Sequence, residues 1–471
     1  MKNDLPNIAP TPAEIARTLE DALAVQRAAY FAQPVPTLAE RKADLRTLQR
    51  FIRENKQALC DAISADYGHR SQHETLLAEI FPAMDGISHV IGSLRKWMRP
   101  QRRSIDLRNF LGASNRVIPQ PLGVVGIIVP WNFPLHLSLI PLTYVFAAGN
   151  RAMIKMSENS RHLAAFMIEK LRVFDETGGV GIEFSKLPFD HLLFTGSGQT
   201  GRAVMAAAAA NLVPVTLELG GKAPAILCDD YPLRLAAERI LFAKLMNAGQ
   251  ICTTVDHAWV PRSKVDEFVN VAREIINARY PAITSPDYTS VIDERSFDRL
   301  VGALEDAKAR GATVIQVIPG APYDRDTRKM SPHIVLNAPA DSVLLQREIF
   351  GPILPIRAYD ALETVIQTIN AGPRPLAIYP FSNDGRRVQM LLDRVMSGGV
   401  SVNEALFHVA QHDLPFGGVG ESGMGHYHGR EGFDTFSKLR PVFYQARFSS
   451  LKLIGPPYGK FASTVLGFLT K

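Results

Sequence analysis

Apolar runs that alternate with helix-like segments are the feature that most restricts the fold of this chain. The run LGVVGIIVP (122–130) is continuously apolar, as in a strand buried on both faces. Further strand-like runs follow it, with helical patterns between them, at 151–157, 191–195, 214–219 and 224–228. Strands that alternate with helices in this way predict an α/β fold built on doubly wound parallel sheets.

The same alternation continues from about 229 to 410 and predicts a second α/β domain. Strand candidates lie there at 257–261, 312–317 and 398–403, and the pattern at 263–280 indicates a helix. A chain of 471 residues has room for roughly two or three domains, so two sheets fit its length.

The remaining segments flank this α/β region. Amphipathic spacing predicts helices at 12–31, 37–66 and 72–98. A hairpin is predicted at 103–121 around a Gly-Ala-Ser-Asn turn, and a further strand is predicted at 442–448. Residues 411–438 are rich in glycine and are expected to be irregular.

Charge and cysteine content limit the classes of protein to which this chain can belong. The net charge of +6 is small for this length, and the densest basic run, 95–103, carries no nucleic-acid motif. We therefore interpret that run as a solvated helix end and expect no nucleic-acid partner. Three cysteines, an odd and sparse count, indicate a reducing compartment without a disulfide framework.

The sequence lacks recognisable signals for export or membrane insertion. The first residues lack the apolar stretch of a signal peptide, and no window reaches the ~20 apolar residues of a membrane span. We expect a cytoplasmic protein without a transmembrane segment. The apolar tail at 461–469 is too short to span a bilayer; it is expected to pack on this chain or a partner chain, with a membrane surface as the alternative.

A glycine-rich string is the first candidate for cofactor binding. Gly196, Gly198 and Gly201 form G-x-G-x-x-G directly after the strand-like HLLFT and before an Ala-rich helix. Backbone amides at such a helix N-terminus can meet a pyrophosphate, although a tight strand–helix turn would give the same pattern. A second such string at 418–423 lacks a clear preceding strand, and we interpret it as a turn-rich loop.

Two positions in the sequence could supply the acidic residue that binds the cofactor ribose. Glu218 lies at about the expected distance of roughly 20 residues after the glycines. It sits, however, in LELGGK, where a strand end meets two glycines. Lys155 and Glu158, at the end of an upstream strand, are better placed to bond ribose hydroxyls.

Cys252 is the candidate nucleophile among the three cysteines. It follows an apolar helix at a glycine-containing loop, NAGQIC, although a lone cysteine is more often a small core residue. Cys60 and Cys228 are interpreted as packing residues. Asn132, held between prolines and aromatics in PWNFP, has an amide suited to stabilising an oxyanion, with a stiffened turn as the alternative.

These motifs together resemble the aldehyde dehydrogenase superfamily. PWNFP, KMSE, FTGS, LELGGK, GQIC and EIFGP occur in the family's order, and Glu218 precedes Cys252 at the family's usual separation. The closing segment 414–442 resembles the class 3 branch, which includes fatty, aromatic and coniferyl aldehyde dehydrogenases. One departure is Met156, which follows the lysine of KMSE where the family more often has proline.

The resemblance implies an aldehyde dehydrogenase-like fold with two doubly wound parallel-sheet domains and a small β bridging element. The implied NAD(P)-binding domain comprises 1–102, 121–218 and 412–438, and the implied catalytic domain 219–411. The implied bridging and oligomerisation segments are 103–120 and 439–471, and a homodimer is expected.

The family's roles transfer to matching positions. Cys252 resembles the nucleophile, Glu218 the general base, and Asn132 with the Cys252 backbone amide the oxyanion hole. The implied cofactor contacts are Trp131, Lys155, Glu158, Gly196, Ser197, Gly201, Glu348 and Phe350. NAD is the expected cofactor, because Glu158 should repel a 2′-phosphate, with NADP as an accepted alternative.

The expected reaction is oxidation of an aldehyde to an acid through a Cys252 hemithioacetal and thioester. The substrate is expected to be a medium-chain or aromatic aldehyde, with coniferyl aldehyde as one candidate. Two alternatives are an acylating enzyme that uses coenzyme A and a catalytically silent binding protein on this fold. No metal is expected, because His426 and His428 have no evident third and fourth ligand.

Overall fold

Two mainly parallel sheets organise the fold, and three further strands form an antiparallel sheet. The computed structural model describes residues 11–106, 110–171, 180–447, 449 and 454–470. The predicted α/β fold with two parallel sheets is confirmed. Each sheet also carries one antiparallel strand: β16 (Gly423–Met424) was not predicted, and β9 (Thr313–Gln316) lies in the predicted strand 312–317 but runs in the opposite direction to its neighbour.

The first sheet has the order β16-β6-β5-β3-β4. Its strands are β3 (Val124–Ile128), β4 (Arg151–Lys155), β5 (His191–Gly196), β6 (Val215–Leu219) and β16 (Gly423–Met424). Only β16 runs antiparallel, against β6. Every residue of β3 is buried, as its uninterrupted apolar run predicts for a central strand.

The second sheet has the order β15-β14-β7-β8-β13-β12-β9. Its strands are β7 (Pro224–Leu227), β8 (His257–Pro261), β9 (Thr313–Gln316), β12 (His333–Leu336), β13 (Ile353–Tyr359), β14 (Ala377–Phe381) and β15 (Gly399–Val400). The edge strand β9 is antiparallel to β12. A separate short pair joins β10 (Tyr323–Asp324) and β11 (Lys329–Met330).

The third sheet joins distant parts of the chain in the order β1-β2-β17. Its strands are β1 (Gln101–Arg103), β2 (Ser114–Pro121) and β17 (Ser437–Tyr444), all antiparallel. The predicted hairpin therefore exists, but Ser114 and Asn115 lie in β2, so the turn precedes them. Residues 107–109 of the predicted hairpin lie outside the described residues.

Helices cover the sheets and build the N-terminal region. Those of at least ten residues are α1 (Pro12–Ala32), α2 (Leu38–Glu54), α3 (Lys56–Tyr67), α5 (Phe81–Trp97), α6 (His136–Ala148), α7 (Arg161–Leu171), α9 (Gly198–Ala209), α10 (Leu233–Leu245), α11 (Val265–Arg279), α12 (Glu294–Ala309), α14 (Leu362–Ala371), α15 (Gly385–Arg394) and α17 (Lys460–Leu469). Shorter ones are α4 (Gln72–Thr75), α8 (Val180–Ser185), α13 (Val343–Gln346) and α16 (Gly429–Thr435).

Two predicted helices are interrupted. The segment 37–66 divides at Asn55, whose side-chain amide donates to the Phe51 carbonyl (2.7 Å) and so caps α2. The segment 72–98 contains a π-helical turn, Leu76–Ile80, between α4 and α5. Such turns often occur at functional sites, and this one carries a buried acid, Glu79.

Element ends differ from the sequence pattern elsewhere. The strand predicted at 398–403 is reduced to β15, and the strand predicted at 442–448 begins earlier and ends at Tyr444 as β17. The segment 411–438, expected to be irregular, contains β16 and α16. In the part of the chain that the structure describes, no helix is both long and apolar enough to cross a membrane.

Candidate active site

A cavity of about 420 Å³ lies where the C-terminal ends of three strands of the first sheet meet the loop after α10. Trp131 and Asn132 follow β3, Gly196 ends β5, and Glu218 lies near the end of β6. Eight of the eleven predicted site residues line this cavity: Trp131, Asn132, Gly196, Ser197, Glu218, Cys252, Glu348 and Phe350.

The other three predicted residues lie outside the cavity lining. Lys155 is the buried last residue of β4, and its carbonyl accepts the Val129 N–H (2.9 Å). Glu158 is exposed, three residues beyond that strand end. Gly201 lies in the first turn of α9, where a Cβ would come within 2.6 Å of Leu219 Cδ2. Its role in the structure is close packing of helix on strand.

The loop that carries Cys252 has an unusual backbone. Asn247, Ala248 and Gly249 take positive φ angles of 53°, 50° and 75°. At Gly249 a Cβ would lie 2.4 Å from the Gly351 carbonyl oxygen, so no larger residue fits. Such conformations cost free energy and persist only where surrounding contacts hold them.

Gln250 supplies much of that support. Its Nε2 donates to the carbonyls of Asn247 (2.9 Å) and Ser290 (3.1 Å), and its Oε1 accepts the Ile292 N–H (3.0 Å). The side chain is fully buried and therefore ties the cysteine loop to the segment before α12. This bracing fixes the position of the sulfur.

Asn132 is fixed against the same loop. Its carbonyl accepts hydrogen bonds from Tyr67 Oη (2.9 Å), Arg70 Nη1 (3.2 Å) and Asn247 Nδ2 (3.2 Å). Its own Nδ2 donates to the Gln250 carbonyl (3.3 Å). The amide predicted to stabilise an oxyanion thus lies at the cavity wall with little freedom to rotate.

Behind Asn132 is a buried ion pair that the sequence pattern did not indicate. Arg70 Nη1 contacts Glu79 Oε1 (2.5 Å), and both side chains are fully buried. Glu79 Oε2 accepts the N–H groups of Leu135 (2.7 Å) and His136 (3.1 Å), which begin α6. No local pattern pairs these residues, because Arg70 lies between two helices and Glu79 within the next helical segment, so the pairing requires the tertiary structure.

The Cys252 thiol is strongly protonated in this environment. Burial raises its pKa to about 12, and the nearby carboxyls of Glu348 and Glu218 act in the same direction. The backbone N–H groups of Cys252 and Thr253 lower the pKa by a smaller amount. A thiolate is the reactive form, so the thiol must transfer its proton before it can attack.

Glu218 is placed to be the acceptor of a proton. Its side chain is 3% exposed, and within the described residues neither carboxyl oxygen has a hydrogen-bond partner. Burial therefore raises the pKa of Glu218 well above its usual 4.5. A carboxylate with a raised pKa is a stronger base than an ordinary one.

The part of the cavity next to α12 fits a dinucleotide. Ser197 caps the N-terminus of α9, where anions bind favourably. Thr195 Oγ1 and Glu348 Oε1 are buried without partners among the described residues, and each can bind a hydroxyl. Gly220 leaves the space for Glu348, because a Cβ there would lie 2.0 Å from Glu348 Oε2.

Two aromatic rings complete this part of the cavity. Phe350 has a positive φ of 48° and packs edge-on against Trp131, with ring centroids 5.4 Å apart.

The carboxyl of Glu348 has a raised pKa. Burial is the larger cause and the negative charge of Asp256 is the second, and together they raise the pKa to about 8. In the described residues no group of His, Cys, Asp and Glu side chains could hold a metal ion, and the His428 ring stacks with Tyr144.

Comparison with known proteins agrees with this geometry. The aldehyde dehydrogenase family matches residues 7–442. A probable coniferyl aldehyde dehydrogenase from Pseudomonas aeruginosa is 49% identical over 94% of both chains. A coniferyl aldehyde dehydrogenase from a Pseudomonas species is 42% identical over 96% of both chains.

Solved structures of aldehyde dehydrogenases share the fold of this chain. A substrate-bound Staphylococcus aureus AldH superposes with a TM-score of 0.89 at 32% identity, covering 96% of this chain and 99% of the other. A Mycobacterium tuberculosis aldehyde dehydrogenase complexed with NAD⁺ gives 0.81 at 27% identity, covering 92% and 90%.

The fold and the cavity together define a dehydrogenase that uses a cysteine and a dinucleotide. The chain belongs to the aldehyde dehydrogenase family. It is an NAD(P)-dependent enzyme that oxidises an aldehyde, as the motifs predict.

Proposed function

We propose that this enzyme oxidises an aromatic aldehyde to its carboxylic acid with NAD. The supporting observation is the cavity lining beside Cys252, where apolar and aromatic side chains cluster: Phe81, Phe133, Phe242, Phe407 and Phe416. Aromatic rings favour edge-on and offset contacts with one another, so a planar aromatic substrate suits this lining. The names of the two Pseudomonas relatives support coniferyl aldehyde as the substrate.

In the proposed reaction, Cys252 supplies the bond to the substrate. Glu218 takes the thiol proton, and the sulfur adds to the aldehyde carbon to form a hemithioacetal. The Asn132 amide and the Cys252 backbone N–H stabilise the resulting oxyanion; in comparable sites, loss of one such donor costs about 10²–10³ in rate. The cofactor, when bound, accepts the hydride from this adduct.

The second half of the proposed reaction releases the acid. Loss of hydride leaves a thioester on Cys252, and water must attack it. Glu218 first releases to solvent the proton that it took from the thiol, and it then removes a proton from that water. The attack breaks the carbon–sulfur bond and frees the Cys252 thiolate, which regains a proton from Glu218. The carboxyl of Glu218 supports this role because no group among the described residues competes for its lone pairs.

The test of this mechanism is substitution of the nucleophile. Cys252→Ala should lose aldehyde-dependent NADH formation while it keeps its fold, because no other group in the cavity can form the thioester. Cys228→Ala is a matched control, since Cys228 is buried after β7. Full activity of Cys252→Ala would refute the mechanism.

Transfer of the acyl group to coenzyme A is the alternative. It would use the same cysteine, but a thiol acceptor needs no base to activate water, so the presence of Glu218 favours hydrolysis. Adding coenzyme A to the reaction and analysing the product distinguishes the two. We expect free acid, and accumulation of an acyl-CoA would support the alternative. A silent binding protein predicts no turnover at all.

The proposed cofactor site uses Gly196, Ser197 and Gly201 near the pyrophosphate and Glu348, Phe350 and Trp131 near the nicotinamide ribose. Lys155 and Glu158 are proposed to bond the adenosine ribose. Because the Glu158 carboxylate should repel a 2′-phosphate, we predict higher kcat/KM with NAD than with NADP. Glu158→Gln should reduce that preference by about tenfold, the effect of roughly 1.4 kcal/mol. An unchanged ratio would exclude Glu158 from the ribose site.

The assembly and compartment are further proposals. We propose a homodimer joined through β17, with the domain division and bridging segments that the motifs imply. The three cysteines are free thiols in the structure, which suits the cytoplasm as the proposed compartment.

A further inference from the structure

Two histidines interrupt the apolar part of the substrate cavity. His136 begins α6 and His428 precedes α16, and both line the cavity together with the phenylalanines beside Cys252. The two residues therefore border the same cavity, although they are far apart in the sequence.

One nitrogen of each ring lacks a hydrogen-bond partner within the described residues. Among the described residues, His136 Nδ1 and His428 Nε2 are buried without a hydrogen bond. Buried polar atoms are almost always bonded, and an unbonded one costs free energy. Such atoms at a cavity wall are explained most simply by a ligand that supplies the missing bonds.

Both rings are neutral. Burial lowers the pKa of His136 to about 4 and that of His428 well below its usual value. A neutral imidazole offers one N–H donor and one acceptor nitrogen. The pair can therefore both accept from and donate to one hydroxyl group, and it does not attract an anion.

Packing restrains the His428 ring, and a hydrogen bond fixes the backbone of His136. The His136 backbone N–H is bonded to Glu79, whose charge is held by Arg70. The His428 ring stacks on Tyr144 with centroids 6.1 Å apart and packs against Phe416 at 5.3 Å. Rigid polar groups discriminate well, because they cannot turn away when a ligand lacks the matching atom.

We propose that His136 and His428 recognise a hydroxyl group on the aromatic ring of the aldehyde and so determine substrate specificity. This inference rests on the proposed oxidation of an aromatic aldehyde. A phenolic hydroxyl donates one hydrogen bond and accepts another, which matches the two neutral rings. An aldehyde without the hydroxyl leaves the same nitrogens buried and unpaired.

The test compares two substrates that differ by one group. The hydroxylated aldehyde is 4-hydroxy-3-methoxycinnamaldehyde, and 3-methoxycinnamaldehyde lacks only the hydroxyl. The wild-type enzyme should show kcat/KM about tenfold to hundredfold higher for the first, the effect of an unpaired buried polar group. In His136→Phe and in His428→Phe the ratio should fall to about threefold or less.

Controls separate recognition from general damage. His412→Phe changes a histidine that interacts with both rings, bonds Asp85 (2.9 Å) and is not part of the cavity lining, and it should keep the wild-type ratio. His136→Asn retains an amide that can bond a hydroxyl, and it should restore part of the ratio that His136→Phe loses.

Each unfavourable result has a distinct meaning. A wild-type ratio near one, or a ratio that both phenylalanine variants retain, overturns the inference and leaves aromatic aldehyde oxidation standing. Equal loss with both aldehydes in the two phenylalanine variants also overturns it, because the rings would then only position α6 and α16. Oxidation of hexanal without oxidation of either aromatic aldehyde refutes the proposed function itself.

Discussion

At the residue scale, burial decides the proton balance around Cys252. The thiol and the Glu218 carboxyl both have raised pKa values, because neither charged form is solvated in the cavity wall. Both groups therefore favour their protonated forms, and in the proposed mechanism the thiolate forms as Glu218 takes the thiol proton. We expect the rate of thioester formation to increase with pH as Glu218 loses its own proton.

Glu218→Gln tests both the proposed role of Glu218 as general base and the free-energy cost of burying its charge. The variant should lose about 10²–10⁴ in kcat, the usual contribution of a general base. In the wild type the raised pKa contributes stability that is fully present below the unfolded value of 4.5 and is lost as pH rises through the folded pKa. Glutamine has no charge to bury, so the variant should gain stability relative to wild type as pH rises.

Thermal unfolding of both proteins at pH 5 and pH 9 measures this effect. The difference in Tm, variant minus wild type, should be more positive at pH 9. A difference that does not change with pH would show that Glu218 is not buried with a raised pKa. Retained kcat would show that another group is the base.

At the element scale, the buried ion pair between Arg70 and Glu79 connects the N-terminal helices to Asn132 and to the start of α6. Arg70 follows α3, Glu79 lies in the π-helical turn, and Glu79 bonds the first amides of α6. Arg70 also bonds the Asn132 carbonyl. The position of the proposed oxyanion donor therefore depends on elements that lie more than fifty residues earlier in the sequence.

Glu79→Gln should destabilise the protein by about 3–5 kcal/mol, because it leaves the buried Arg70 charge without its partner. Denaturant unfolding measures the change. A matched control is Asp360→Asn, which breaks the exposed pair between Arg262 and Asp360 and should cost no more than about 1 kcal/mol. Equal effects of the two substitutions would refute the structural role of the buried pair.

At the scale of the whole molecule, β17 is an edge strand of the third sheet. Leu439, Phe443 and Tyr444 on this strand are well exposed. An exposed, apolar edge strand is a surface that another chain can cover. This supports the homodimer that we propose, with β17 at its centre.

Phe443→Glu should weaken that dimer, because it places a charge where the apolar face would be covered. Light scattering during size-exclusion chromatography should give twice the 51.9 kDa chain mass for the wild type and a lower mass for the variant at low concentration. Leu212→Glu changes an exposed leucine far from β17 in sequence and should have no effect. A monomeric wild type would disprove the proposal.

The sequence by itself determined the class of fold and eight of the residues that line the cavity. Uninterrupted apolar runs and helical periodicity arise from local backbone geometry, so the positions of β3, β5 and β6 follow from the pattern of residues alone. Motifs at the ends of those strands predicted residues that share one cavity, because parallel strands end at the same edge of a sheet.

Only the tertiary structure decided how those residues are held and what surrounds them. The bonds from Tyr67 and Arg70 to Asn132 join residues that no local pattern relates, and the same holds for His136 and His428 in the cavity lining. The antiparallel direction of β9, the strand β16 and the division at Asn55 were likewise not predicted from the sequence pattern. Periodicity reports which face of an element is buried, whereas partners and pKa values depend on what the folded chain brings to that face.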